Sequence, residues 1–394
     1  MSDSIKNMTK LAIMEEVTEG TYLAPASGAD FIEFSTDGLE LTPAKEIVER
    51  LNTVNSIGKR KSRAGMRSAS ATIPMELKAN GTAGSEPEFG LLIKGALGSK
   101  RQNTTVITTK SSGNTATVLQ IEDADISKLS VGDCILVKQT GAFHVSPIIS
   151  KTSGTGTATV TLLVAHPSGD ITDSVTIEKF TTFKPANSGH PSISLSKYTE
   201  DAKLETLCGG KVSGMNLSGL TTGQIGSVEI TLDAMGSNQS LTAPSYTPST
   251  DTALPPIILS SLVYQNGSLL DINELSLSLA NTIAWKTSTA SENGRISGRV
   301  TGREITGTMN PYKESDSIAQ FTKFDTHTSF SVFQYSAIPT TAGEFKDVVA
   351  LYLPSCTISE LAEADQDGLL QETLSFTADR GEDGQTEEMY LTFI

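Results

Sequence analysis

Cysteine is nearly absent from this sequence: three occur in 394 residues, Cys134, Cys208 and Cys356, far apart and odd in number. That excludes a disulfide framework and a CxxC metal knuckle, and it fits a reducing compartment. Histidine is almost as scarce. His144, His166, His190 and His327 form no HxH or HxxxH pair, so a zinc site lacks its usual ligands. Glycine-rich stretches such as CGGKVSG lack the GK[ST] ending that cradles a phosphate, and no GxGxxG follows a strand. Trp285 is the only tryptophan, too few for an aromatic platform against sugars or bases. Ser194 and Lys197 satisfy an SxxK spacing, but on an alternating strand and not at a helix start. Glu363, Asp365, Asp367 and Gly368 match positions 1, 3, 5 and 6 of a calcium loop, yet the twelfth position is Leu374, so the stretch reads as a solvated acidic turn. No catalytic residue, cofactor or metal is expected, and the protein is not expected to be an enzyme.

Long apolar runs are also missing. None approaches the ~20 residues of a membrane span, and the start MSDSIKNMTKLAIMEEVTEG lacks a signal-peptide layout. A soluble, unprocessed protein without membrane contact is expected. Charge is lean at 19%, and its balance, 45 acidic against 30 basic residues for a net −15, argues against a protein that grips phosphate backbones.

What is abundant is the vocabulary of short strands and tight turns. Runs such as ITTKSSGNTATV and KTSGTGTATVTLLV pair Thr and Val with Gly and Ser, which makes the chain mainly β. Residues 1 to 98 alternate with period two at 31 to 42 and 67 to 77. They end in EPEFGLLIKGALG, where Phe89, Leu92, Ile93 and Ala96 share a helical face, Pro87 suits the first turn and Gly98 the C-cap. Residues 100 to 185 are a dense run of short strands, expected as a small β domain. The Pro-rich stretch 241 to 256 reads as a linker.

After the linker the pattern begins again. Ile230, Leu232 and Ala234 are answered by Leu374, Phe376 and Ala378 at an offset of 144. Ala71, Ile73 and Met75 are answered by Ile305, Gly307 and Met309 at an offset of 234, and a short helix candidate follows each. The two offsets differ by roughly the length of 100 to 185, so excising that stretch brings the halves into register. The expected organisation is a discontinuous first domain (1–99 and 186–240), an inserted β domain (100–185), a linker (241–256) and a second domain (257–394).

The opening EVTEGTY, the strand FIEFSTDGLEL, and the segment KEIVERLNTVNSIGKRKSRAGMRSASATIPMEL leading to EPEFGLLIKGALG resemble the major tail tube proteins of long-tailed, siphovirus-type bacteriophages. Residues 191 to 236 carry the resemblance further, and 257 to 394 join it only through the repeat. The family resemblance implies two tube-type β-sandwich or barrel domains, each with a short flanking helix. It also implies rings stacked into a tube that conducts DNA into the host. Implied partners are further copies of the chain, tape measure protein and DNA in the lumen, and tail terminator and tail tip proteins at the ends. The location implied is the virion tail, after synthesis in the host cytoplasm. Two tube copies per chain favour three chains per ring with pseudo-sixfold packing, six chains being the alternative. A β-rich adhesin or carbohydrate-binding protein is the competing reading, disfavoured by the missing signal peptide and aromatic clusters.

Charge is unevenly placed. Residues 45 to 67 carry a net +5 and residues 352 to 394 a net −9. Opposite poles favour head-to-tail stacking. Lys59, Arg60, Lys61 and Arg63 are therefore expected to meet Glu360, Glu363, Asp365 and Asp367 of the adjacent ring.

Overall fold

Period-two alternation builds most of the molecule, as a computed structural model shows for residues 8–394 apart from 36, 53–56, 59, 140–141, 168, 172–173, 201–202, 250–252, 259–260, 314–316, 340–344 and 382–385. Strands β1 (Thr9–Glu15), β2 (Phe31–Ile32), β3 (Glu40–Val48) and β4 (Arg63–Glu76) lead into helix α1 (Gly90–Leu97). Next come β5 (Gly98–Asn103), β6 (Ile107–Thr108), β7 (Val118–Ile121), β8 (Cys134–Gln139), β9 (Ala142–Thr152), β10 (Ala158–Leu162), β11 (Thr176–Ile177) and β12 (Phe180–Pro185). β13 (Ile193–Thr199), β14 (Lys203–Thr221), β15 (Ser227–Ala234) and β16 (Gly236–Leu241) complete the first half. The second half holds β17 (Leu262–Gln265), β18 (Ser268–Leu269), β19 (Ile272–Thr287), β20 (Arg295–Pro311), α2 (Ser317–Thr326), β21 (Phe330–Pro339), β22 (Phe345–Gln366), β23 (Leu369–Ala378) and β24 (Tyr390–Phe393). Between β16 and Ile257 the described residues form no helix or strand.

Helix α1 falls where the apolar spacing requires it, and Gly98 ends it in the left-handed conformation at φ 94, its N–H bonding Lys94 O. Among the described residues of the alternating stretch 31 to 42, only Phe31–Ile32 and the part from Glu40 onward are strand.

The two halves share one wiring. In the first, β1–β2, β1–β13, β13–β14, β14–β15, β14–β16, β15–β4 and β3–β4 pair antiparallel. In the second, β17–β18, β17–β21, β21–β22, β22–β23, β22–β24, β20–β23 and β19–β20 do the same in the same roles. Register agrees as well. Ile73 stands opposite Ile230 and Met75 opposite Val228; Gly307 stands opposite Phe376 and Met309 opposite Leu374. With β4 and β20 held at the offset of 234 that the face pattern gave, the pairing sets β15 and β23 at 146, two more than that pattern. A slip of two residues leaves every side chain on its own face, so alternation alone cannot detect it.

β14 joins the halves by pairing with β19, Met215 opposite Leu279 and Asn216 opposite Ser278. The result is an inner sheet in the order β3–β4–β15–β14–β19–β20–β23–β22. Its inward face (Ile73, Ile230, Met215, Leu277, Met309, Phe376) makes one core with the inward faces of the outer strands and with α1. Each such buried side chain contributes ~1.5–3 kcal/mol.

The far side of the outer strands is covered differently in each half. In the first half Ala12, Phe31, Tyr198 and Leu204 form a small cluster. Beside it, buried Glu16 accepts hydrogen bonds from Ser192 Oγ (2.7 Å), Ser194 Oγ (2.8 Å) and Gly209 N (2.7 Å). In the second half, β6–β11 form a separate six-stranded sheet whose core is shared with Phe333, Tyr335, Ala350, Tyr352 and Tyr390. The flanking strands β5 and β12 belong to the larger sheet, where β12 pairs with β24. Arg101 of β5 ties the small sheet down through its ion pair with buried Asp133.

Candidate assembly surfaces

The outward face of the inner sheet is paved with small polar side chains. One row crosses seven strands as Pro74, Glu229, Asn216, Ser278, Thr306, Thr377 and Thr357, with Ser278 Oγ donating to Asn216 Oδ1 at 2.8 Å. The next row contains Ser276, Thr308, Ser375 and Glu360, and Ser276 and Thr308 hydroxyls bond at 2.7 Å. Glu229 and Glu360 are the charges among the residues named in these rows. These rows are polar and weakly negative, and the residues named in them include no basic side chain to hold a phosphate.

The two charged sets lie at opposite ends of this sheet. β4 keeps company with β15 only from Ala69 to Glu76, while β3 and β4 continue together to Val48 and Arg63. They project as a two-stranded arm, and Arg60 and Lys61 sit exposed in the connection beyond it. Arg63, also exposed, opens β4. Lys59 lies outside the described residues. At the other end, β22 and β23 close between Gln366 and Leu369. Glu360, Glu363 and Asp365 are exposed on β22, and Asp367 occupies the turn. The described members of each set are therefore gathered on one hairpin, and the two are not brought together within a chain.

The acidic turn has a plain backbone explanation. Asp367 (φ 52) and Gly368 (φ 87) are both left-handed, the pattern of a tight Asp-Gly hairpin. Glu363 is ion-paired to Lys313, whose hydrogen bond and charge hold its carboxyl below the usual range. Other side chains with chemical potential are also engaged. Ser194 donates to Glu16, Lys197 pairs with Glu205 at 3.1 Å, and burial pushes the Cys134 and Cys356 thiols up, away from the reactive thiolate. Among the described residues no group of three or more His, Cys, Asp or Glu is placed to hold a metal ion.

Both edges of the inner sheet are open. Among the described residues β3 pairs only with β4, and the part of β22 beyond Cys356 pairs only with β23. Beside that β22 edge stands α2, with Ile318, Phe321 and Phe324 exposed over Leu361 and the Lys313–Glu363 pair. Sequence reading identified the helix but not its outward apolar face. Glu16 and the Arg101–Asp133 tie were likewise missed, because their partners are distant in sequence.

Comparison with curated proteins gives no match. Open sheet edges, opposed charged ends and the polar sheet face nevertheless have a common setting, since the family model described as phage tail tube protein matches residues 6–378. The chain belongs to that family and is a structural component of the phage tail that assembles with copies of itself into a tube.

Proposed function

We propose that this chain forms stacked rings in a long, siphovirus-type tail, and that its inner sheet is the wall of the conduit through which DNA is delivered. The observation that carries the reading is the inner sheet itself, with one face buried and the other paved with Ser, Thr and Asn. Duplication of one tube domain, interrupted in its first copy by an inserted β domain, accounts for the repeated wiring. Three chains then supply six similar units. Three eight-strand sheets at ~4.8 Å per strand, tilted by ~35–45°, close a barrel on the order of 45–50 Å across at the backbone. Strand addition at the open edges closes the ring, which removes edges that otherwise invite aggregation. The small sheet β6–β11, packed on the side of the outer strands away from the inner sheet, points out from the tube.

Rings stack by their ends. The arm with Lys59, Arg60, Lys61 and Arg63 meets the acidic hairpin with Glu360, Glu363, Asp365 and Asp367 of the next ring. Tape measure protein and DNA occupy the lumen in turn, and terminator and tip proteins close the tube ends. Negative-stain microscopy of the purified protein tests this. Tubes of uniform bore, with three chains per ring and pseudo-sixfold end views, are expected; six whole chains per ring overturn the trimer, and monomers that bind glycans overturn the tube.

A further inference from the structure

Helix α2 rests on the core by its polar residues and turns its apolar ones outward. Gln320 is buried and exchanges amide hydrogen bonds with Gln265 at 2.7 and 3.1 Å, and Lys323 Nζ donates to Gln265 Oε1 at 2.7 Å. Ile318, Phe321 and Phe324 are 76%, 57% and 39% exposed. An isolated soluble chain gains nothing from that orientation.

The first half shows what the orientation is for. Lys94 of α1 pairs with Glu15 at the end of β1 (2.9 Å), as Lys323 of α2 bonds Gln265 at the end of β17. This correspondence sets Phe321 on Leu92 and Ile318 on Phe89, which are 0% and 2% exposed. Helix α1 packs on β1, β5, β12 and β14 of the first half, and the second half completes its cover. Phe89 meets Phe393 of β24 edge-on at 6.2 Å, and Asn281 Nδ2 of β19 donates to Ala96 O at 2.9 Å. The same β19 closes the edge of β14.

We infer that the first half of a second copy of this chain completes the cover of α2 and closes the open edge of β22, in the way the second half completes the cover of α1 and closes the edge of β14 within one chain. The inference rests on the ring reading above and gives its lateral contact a register. Met215 holds the place of Ile358 and Asn216 that of Glu360, since they face Ile230 and Glu229 as Ile358 and Glu360 face Phe376 and Ser375. Leu279 and Ser278, facing Ile305 and Thr306, hold the places of Leu41 and Glu40, which face Ala71 and Thr72. The internal pairs Met215–Leu279 and Asn216–Ser278 therefore become Ile358 with the neighbour's Leu41 and Glu360 with the neighbour's Glu40. Strand β16 of the neighbour, ending in exposed Leu241, comes over α2 as β24 comes over α1. Glu360 then belongs to the lateral contact, leaving Glu363, Asp365 and Asp367 for stacking.

Two variants of the full-length chain test the contact, with the unaltered chain alongside to report on tube formation itself. Phe321→Glu changes an exposed side chain, so circular dichroism stays the same while the yield of sedimentable tubes falls about tenfold or more. Glu40→Cys and Glu360→Cys lie at opposite edges of one chain and can meet only between chains. Chains carrying one each, mixed and oxidised, should give disulfide-linked pairs, and chains carrying both should give a ladder. Undiminished tube growth by Phe321→Glu, or tubes from the cysteine variants that yield no linked pairs, overturns the contact while leaving the tube reading intact. Failure of the unaltered chain to form rings or tubes overturns the tube reading instead.

Discussion

Helices α1 and α2 hold the same place in the two halves, yet one is sealed and the other open. α1 is almost wholly apolar and is enclosed by β5, β12 and β14 with Phe393 and Asn281 of the second half completing its cover, whereas α2 buries Gln320 and exposes Ile318 and Phe321. The outer strands differ in a related way, covered in one half by the Glu16 network and in the other by a separate small sheet. Equivalent backbone thus carries residues chosen for what lies against it, and the contrast identifies which contacts form on folding and which wait for a partner.

The strongest test of the contrast compares paired truncations. Leu92→Ala should cost ~2–5 kcal/mol of unfolding free energy, while Phe321→Ala should change it by no more than ~0.5 kcal/mol; urea titration of unassembled protein measures both. A large loss from Phe321→Ala would show that α2 is already packed in the single chain.

The next effect concerns the tie between the small sheet and β5. Burial pushes the Asp133 carboxyl up to about 6 despite the Arg101 charge, from an ordinary value of 3.8. The folded chain then holds this proton over a range where the unfolded chain has released it. Stability should therefore fall as pH rises from about 4 to about 6, by at most ~3 kcal/mol. Asp133→Asn should flatten that part of the stability–pH curve; an unchanged slope would remove Asp133 as its source.

A smaller loss is expected where the small sheet touches the second half. Gly132 has φ 90, and a Cβ there would run into the Tyr390 ring. Gly132→Ala should cost ~1–3 kcal/mol and expose the small sheet to limited proteolysis before the rest. Simultaneous loss of both would show the small sheet has no separate stability.

The smallest effects per residue belong to the charged ends. Single ion pairs there are worth ~0–1 kcal/mol, so only a joint reversal of Lys59, Arg60, Lys61 and Arg63 to Glu should slow tube elongation, with circular dichroism unchanged and partial rescue by reversing the acidic set. Normal growth of the reversed variant at low salt would leave apolar and backbone contacts as the glue between rings.

Much of this architecture is legible in the residues. The alternation of Ile73 and Met75 gives strand and face, Phe89 to Gly98 give a helix with its cap, and the charged sets are visible as clusters. Period-two patterns hide a slip of two, which is why the offsets 234 and 144 together fall two short of what the paired registers require. The outward turn of α2 is invisible locally because Gln265, the residue that buries Gln320, comes 55 positions earlier. The arm carrying Arg63 reads as an ordinary loop boundary until pairing shows β4 outrunning β15.

The β14–β19 seam also bears on the rate at which rings appear. A seam inside the chain forms during folding at the high effective concentration of a tethered pair, so it is indifferent to dilution. Only the seam between chains obeys mass action. If, as proposed, each chain supplies two tube units, a ring of six units needs three molecules to meet instead of six, and its onset should depend less steeply on protein concentration than that of a ring built from single-unit subunits.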